Sequence, residues 1–136
     1  MTPGSCFCGS IRFEIYAFAT DIYKCHCSRC RKQFGGASGA AAMAPASGFR
    51  WTQGKELRNS YQPPGSQYKT WFCSNCGSTL FWRSPGATGI SVSANALQDD
   101  HGLKLKSHIW VEDKPDWYEF ADECPRLTSS EFAEQK

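Results

Sequence analysis

The 136-residue chain lacks a charge excess: its formal net charge at pH 7 is only +2. A balance that small supplies no broad basic face for nucleic acid and no strong field toward a charged surface. The chain also lacks a long apolar run. Its longest stretch of small apolar residues, Ala40 to Ala44, falls far short of the ~20 residues that cross a bilayer. The opening Met1-Thr2-Pro3-Gly4-Ser5 has no basic segment and leads into no apolar one, so no secretory signal is read there. The expected compartment is therefore the cytoplasm, with neither nucleic acid nor membrane as a partner. No internal repeat is found beyond the spacing of cysteine pairs.

What is present is ordinary globular composition, with 40% hydrophobic and 21% charged residues. The length suits a single domain over residues 1–136, with its core in 4–126 and a short tail at 127–136. Cysteine is the exception. There are 8 cysteines, and all but Cys124 sit in tight clusters: Cys6-Phe7-Cys8, Cys25-His26-Cys27-Ser28-Arg29-Cys30, and Cys73-Ser74-Asn75-Cys76-Gly77. In a reducing compartment, such pairs read as metal ligands sooner than as disulfides.

Between the clusters the pattern is β. Ile11, Phe13 and Ile15 alternate with Arg12 and Glu14, which is the signature of a half-buried strand. Strands are expected at Ile22-Tyr23, Phe49 to Gly54, Leu57 to Tyr61, Tyr68 to Cys73, Thr79 to Arg83, Gly89 to Ala94, Leu103 to Lys106 and His108 to Val111. Turns fall at Pro63-Pro64-Gly65 and Ser84-Pro85-Gly86, where proline and glycine preset the backbone. Gly35 to Gly48 is almost wholly small residues. It reads as a loop plus a buried strand, or as a place where backbone approaches a ligand closely. Helix is expected only briefly: a turn capped by Ser28 and running to Phe34, and a last helix opened by the Thr128/Glu131 capping box. Many short strands and little helix predict a mainly β fold, a sandwich or barrel.

Cys6, Cys8, Cys73 and Cys76 supply four thiolates, the set that closes a tetrahedral structural zinc site. Gly77 tolerates the sharp turn after the Cys73-x-x-Cys76 knuckle. Cys25, Cys27 and Cys30 supply three thiolates and no evident fourth ligand, as in zinc sites that keep an open position. Lys24, Arg29, Arg31 and Lys32 surround them; these cations offset thiolate charge and suit an anionic ligand. Zinc is preferred to iron for its softness and lack of redox demand. Two alternatives stand for this second cluster. It is a closed structural site completed by His26, His101, His108 or Cys124, or it is a metal-free redox pair at Cys27 and Cys30. No thioredoxin-like pattern surrounds it, and an iron–sulfur cluster would need a fourth like ligand.

The ordered motifs Gly4-Ser5-Cys6-Phe7-Cys8-Gly9-Ser10-Ile11-Arg12-Phe13, Cys25-His26-Cys27-Ser28-Arg29-Cys30-Arg31-Lys32 and Phe72-Cys73-Ser74-Asn75-Cys76-Gly77-Ser78 resemble the glutathione-dependent formaldehyde-activating enzyme family, which includes centromere protein V. The segment His108-Ile109-Trp110-Val111 with Asp113-Lys114-Pro115-Asp116-Trp117 is similar to that family's closing motif. The resemblance covers about Gly4 to Arg126. It implies a twisted antiparallel β-sandwich with a zinc-knuckle hairpin and two zinc ions per chain, the second the more labile. The first would sit on Cys6, Cys8, Cys73 and Cys76, and the catalytic one on Cys25, Cys27 and Cys30. It further implies a carbon–sulfur lyase whose partners are a small thiol, glutathione, and a small aldehyde, formaldehyde. Arg29, Arg31 and Lys32 are the expected glutathione contacts, and His26 is a weak candidate for a general base. A non-catalytic thiol carrier fits the same residues. A structural interaction module fits them less well, because such a role would call for long basic or disordered extensions.

Overall fold

The structure is a computed structural model that describes residues 1–135. It is mainly β and divides into two compact units, each assembled from two stretches of chain: Met1–Thr20 with Ala42–Gly102, and Asp21–Ala41 with Leu103–Lys136.

The first unit contains a small antiparallel sheet of β1 (Thr2–Ser5), β2 (Arg12–Ile15) and β5 (Phe49–Gln53), in the order β1-β2-β5. A second run of strands has the order β4-β9-β8-β7-β6, with β4 at Gly39–Pro45, β6 at Arg58–Tyr61, β7 at Lys69–Cys73, β8 at Thr79–Arg83 and β9 at Gly89–Ser93. The chain passes from one unit to the other within β4, at Ala41/Ala42. The alternation read at Ile11, Phe13 and Ile15 is realised: all three are at most 1% exposed. Full burial of such side chains stabilises by ~1.5–3 kcal/mol each. Phe13 packs on Phe49 with ring centroids 5.6 Å apart, and Phe49 in turn meets Phe81 of β8 at 5.1 Å. These aromatic contacts, with Leu80 and Val92 fully buried beside them, join the two strand layers of this unit into a sandwich. Bulky rings on alternating inward positions are what such a layered core requires.

The second unit holds β3 (Ile22–Cys25), helix α1 (Ser28–Phe34), β10 (Leu105–Ile109), β11 (Arg126–Leu127) and helix α2 (Ser129–Glu134), with strand order β11-β10-β3-β4. β3 pairs antiparallel with β4, but β10 runs parallel to both β3 and β11. These parallel pairings are absent from the antiparallel expectation; parallel neighbours need a long crossover rather than a hairpin, and local patterning does not show which distant strands meet. Where two strands were expected, over 103–106 and 108–111, there is one. It ends at Ile109, and Trp110 next to it, with a φ of 57°, turns the chain out of the ladder.

Helix α1 starts one residue earlier than expected. Its N-cap is Cys27, not Ser28, and the Cys27 sulfur accepts the backbone N–H of Cys30. Gly35 closes the helix in the left-handed conformation and returns its N–H to the Arg31 carbonyl. The cations Arg31 and Lys32 stand in the last turn, where they complement the helix dipole. The Thr128/Glu131 capping box of α2 is formed as expected, and Phe132 of that helix packs on Tyr23 at 5.2 Å. Among the described residues, no helix is long and apolar enough to cross a membrane.

Candidate metal centres and active site

In the first unit, the sulfurs of Cys6, Cys8, Cys73 and Cys76 all lie within 4.8 Å of one another. Two tight turns bring them there. Cys6 and Cys8 follow β1 in a reversal closed by Gly9 N–H to the Cys6 carbonyl at 3.1 Å. Cys73 ends β7, and Gly77, at φ 81°, donates back to the Cys73 carbonyl at 2.8 Å. The Cys6–Cys8 sulfurs are 3.6 Å apart and the Cys8–Cys73 sulfurs 3.9 Å. A tetrahedron of zinc–sulfur bonds near ~2.3 Å has edges of about 3.8 Å, so the donor set fits a zinc ion. Polar groups aimed at the sulfurs agree. Ile11 N–H reaches Cys6 Sγ at 3.3 Å, Cys8 N–H reaches Cys76 Sγ at 3.5 Å, and Asn75 Nδ2 reaches Cys8 Sγ at 3.3 Å. Donors of this kind favour thiolate over thiol. The Ser10 and Asn75 side chains draw the Cys8 thiol down to about 5, whereas burial pushes Cys73 up to about 11.

In the second unit, the sulfurs of Cys25, Cys27 and Cys30 also lie within 4.8 Å of one another. Cys25 is the last residue of β3, Cys27 caps α1, and Cys30 occupies its first turn. A strand running straight into a helix thus brings a C-x-C-x-x-C pattern to one point. Hydrogen bonds from Cys25 and Cys30 pull Cys27 down to about 2. The same contacts work the other way on their donors: the bond with Cys27 pushes Cys25 up to about 12, and the bonds with Cys25 and Cys27, then burial, raise Cys30 as well. The cluster therefore sheds one proton readily and holds the others unless a cation takes their place. Three soft donors of that kind suit zinc.

Among the described residues, no other cysteine and no histidine or acidic residue joins this trio. Cys124 sits apart, its Sγ donating to the Leu105 carbonyl at 3.5 Å. His26 points away from the sulfurs and is 0% exposed. Its Nδ1 lies 2.8 Å from the Ala37 carbonyl and its Nε2 2.9 Å from Nδ1 of His108. Both ring nitrogens are engaged, so His26 is removed as a base for an incoming thiol. His108 is equally buried, and its Nε2 is 2.9 Å from an Asp122 carboxylate oxygen. Phe120 packs at 4.4 Å on His108 and 5.3 Å on His26. Sequence reasoning missed this buried chain. Its one available signal was the position of His26 between two ligands, which sends its side chain to the opposite face.

Of the expected anion contacts, Arg29 and Lys32 are exposed and Arg31 is half-buried. Arg31 Nε is fully buried without a hydrogen-bond acceptor. A buried guanidinium nitrogen left unpaired is costly, and of the three cations only Arg31 carries one among the described residues.

Three comparisons bear on this arrangement. A family model described as glutathione-dependent formaldehyde-activating enzyme matches residues 1–113. A Halomonas elongata protein named for glutathione-dependent formaldehyde activation is 31% identical over 129 residues, covering 88% of this chain and 80% of that one. An uncharacterized lyase of Schizosaccharomyces pombe is 26% identical over 133 residues, covering 94% and 91%. The crystal structure of a Rhodobacter sphaeroides protein superposes with a TM-score of 0.63 at 27% identity, covering 76% of this chain and 97% of that one. The matched region contains every cysteine of both clusters, and with two such clusters folded as the motifs require, the chain belongs to the glutathione-dependent formaldehyde-activating enzyme family.

Proposed function

We propose that this protein is a zinc-dependent carbon–sulfur lyase that interconverts glutathione plus formaldehyde with S-hydroxymethylglutathione. In the forward direction, a bond forms between the thiol sulfur and the aldehyde carbon. The carbonyl becomes a hydroxyl, and the thiol proton ends on its oxygen. The observation that carries this reading is the contrast between the clusters. Four sulfurs converge in the first unit, while only three converge in the second, with no further protein donor among the described residues.

The roles of this chain's residues follow from that contrast. Cys6, Cys8, Cys73 and Cys76 hold a structural zinc that ties the first turn to the β7–β8 corner. Cys25, Cys27 and Cys30 hold the second zinc. A zinc ion bound there supplies a Lewis acid and lowers the pKa of a thiol brought to it. Arg31 receives a carboxylate of the tripeptide, and Arg29 and Lys32 contribute positive charge at the rim. Holding thiol and aldehyde together replaces a chance encounter in water with an oriented one.

The test is an NMR measurement of adduct formation from formaldehyde and glutathione at substrate concentrations where the spontaneous rate is known. The expected result is acceleration that scales with enzyme and is lost in Cys27→Ser, with Arg31→Gln raising KM. Glutathione binding by calorimetry without any acceleration would make the protein a thiol carrier and overturn the enzymatic reading.

A further inference from the structure

The first unit carries a concave patch that neither cysteine cluster uses. Phe81 forms its floor and is 4% exposed. Trp51 lies 5.0 Å from the Phe81 ring and Trp71 5.5 Å from it, with Phe49 at 5.1 Å. These rings line an open recess of about 180 Å³, together with Arg58 and Arg83. The Arg58 guanidinium stands 5.5 Å over the Trp51 ring, and the Arg83 guanidinium 5.6 Å over Trp71. Lys69 Nζ is also over Trp71, at 5.2 Å. No acidic residue lines the recess. Among the described residues, none of these three cations makes an ion pair.

A guanidinium held over an indole by cation–π attraction keeps N–H donors to spare. Its N–H donors lie in the plane at its edge, in the fork that matches a carboxylate. Here two such forks stand beside a buried aromatic floor, and the protein offers neither an acid. A register shift in the β7–β8 ladder falls between Trp71 and Phe72. Bulges of this kind re-aim side chains and recur beside binding sites. An enclosed apolar cavity of ~150 Å³ accepts benzene, so the recess here has room for a single aromatic ring.

We propose that this patch binds a small organic carboxylate carrying one aromatic ring, with the ring on Phe81 between the two tryptophans and the carboxylate between Arg58 and Arg83. The site is independent of the three-cysteine cluster and of the lyase reading.

Benzoate is the probe, and quenching of tryptophan fluorescence, checked by calorimetry, is the readout. Benzoate should saturate the protein, and its neutral counterpart benzamide should bind about tenfold more weakly or worse, since it lacks the charge-assisted bonds. Arg58→Gln and Arg83→Gln should each weaken benzoate by a similar factor, leave benzamide unchanged, and preserve the circular dichroism spectrum. Trp71→Leu should weaken both probes. Equal binding of benzoate and benzamide, no saturable binding, or benzoate binding untouched in the arginine variants would overturn the proposal. So would an oligothymidylate that binds more tightly than benzoate and loses affinity in the same variants, since that would make the patch a stacking surface for single-stranded nucleic acid.

Discussion

His26 Nε2 lies 2.9 Å from His108 Nδ1, and both rings are 0% exposed. Counting protons along this contact shows what a hydrogen bond between the rings requires. At one end the Ala37 carbonyl can only accept, so His26 Nδ1 carries a proton; at the other the Asp122 carboxylate accepts, so His108 Nε2 carries one. Two neutral imidazoles carry two protons in all, so a hydrogen bond between the rings needs a third proton on the pair, whose charge the Asp122 carboxylate would balance. Burial drives the His26 pKa down. The backbone of His26 is held in the same place by its N–H to the Ile109 carbonyl at 3.0 Å. The residue between two metal-ligand candidates is thereby fixed from both its main chain and its side chain.

Replacing His108 with alanine should therefore be costly. It strands His26 Nε2 in an apolar pocket and opens a cavity against Phe120. The expected loss is about 2–4 kcal/mol, measured as a lower urea midpoint with an unchanged slope. A loss under about 1 kcal/mol would mean that the buried chain does not hold.

Stability should also fall on the acid side because of Asp122. The hydrogen bond from His108, then that from the Cys124 N–H, holds its carboxyl below the usual carboxylate range. As pH falls, the unfolded chain takes up this proton first, near pH ~4. The contribution is complete above that pH and is lost as pH drops through the lower folded value. In Asp122→Asn the pH dependence between about 5 and 3 should be shallower than in the wild type. Thermal melts across that range test it, and parallel curves for the two proteins would remove Asp122 as the group responsible.

Gly39 opens β4 where no side chain fits. A Cβ there would meet the Phe34 ring at 2.5 Å and Cys30 Cβ at 3.3 Å. In Gly39→Ala the ring must move and press on the helix that carries Cys30. Overpacking of this kind costs about 1–3 kcal/mol. The second cluster should lose metal affinity more than the first. Competition with a chelator, followed by cobalt absorption, distinguishes the two sites; equal loss at both would mean that the strain is not local.

The two cysteine clusters should separate in a metal count. Wild type is expected to hold two zinc ions per chain. Cys27→Ser should hold one and keep its fold, whereas Cys73→Ser should lose the other and melt about 10 °C lower or more, because metal binding at a structural site is folding energy. Two ions retained in Cys27→Ser would show that the trio is not the second site.

The two sulfur groupings were legible in the sequence. Close cysteine pairs leave few ways to satisfy soft donors, and the glycine turns needed to converge them are local. The half-buried strand at Ile11, Phe13 and Ile15 and the Thr128/Glu131 cap were legible for the same reason, since alternation and capping are properties of neighbouring residues. What depended on distant segments was not. The parallel pairing of β10 with β3 brings His108 beside Lys24 and Ile109 beside Cys25, and nothing local in either strand names the other. The His26–His108–Asp122 chain, the unpaired Nε of Arg31 and the Trp51–Phe81–Trp71 patch all follow from such long-range register. Sequence by itself determined the candidate ligands, because coordination chemistry is written in residue type and spacing. Tertiary structure alone decided which polar groups are buried, and against what, because burial is set by whichever remote strand arrives alongside.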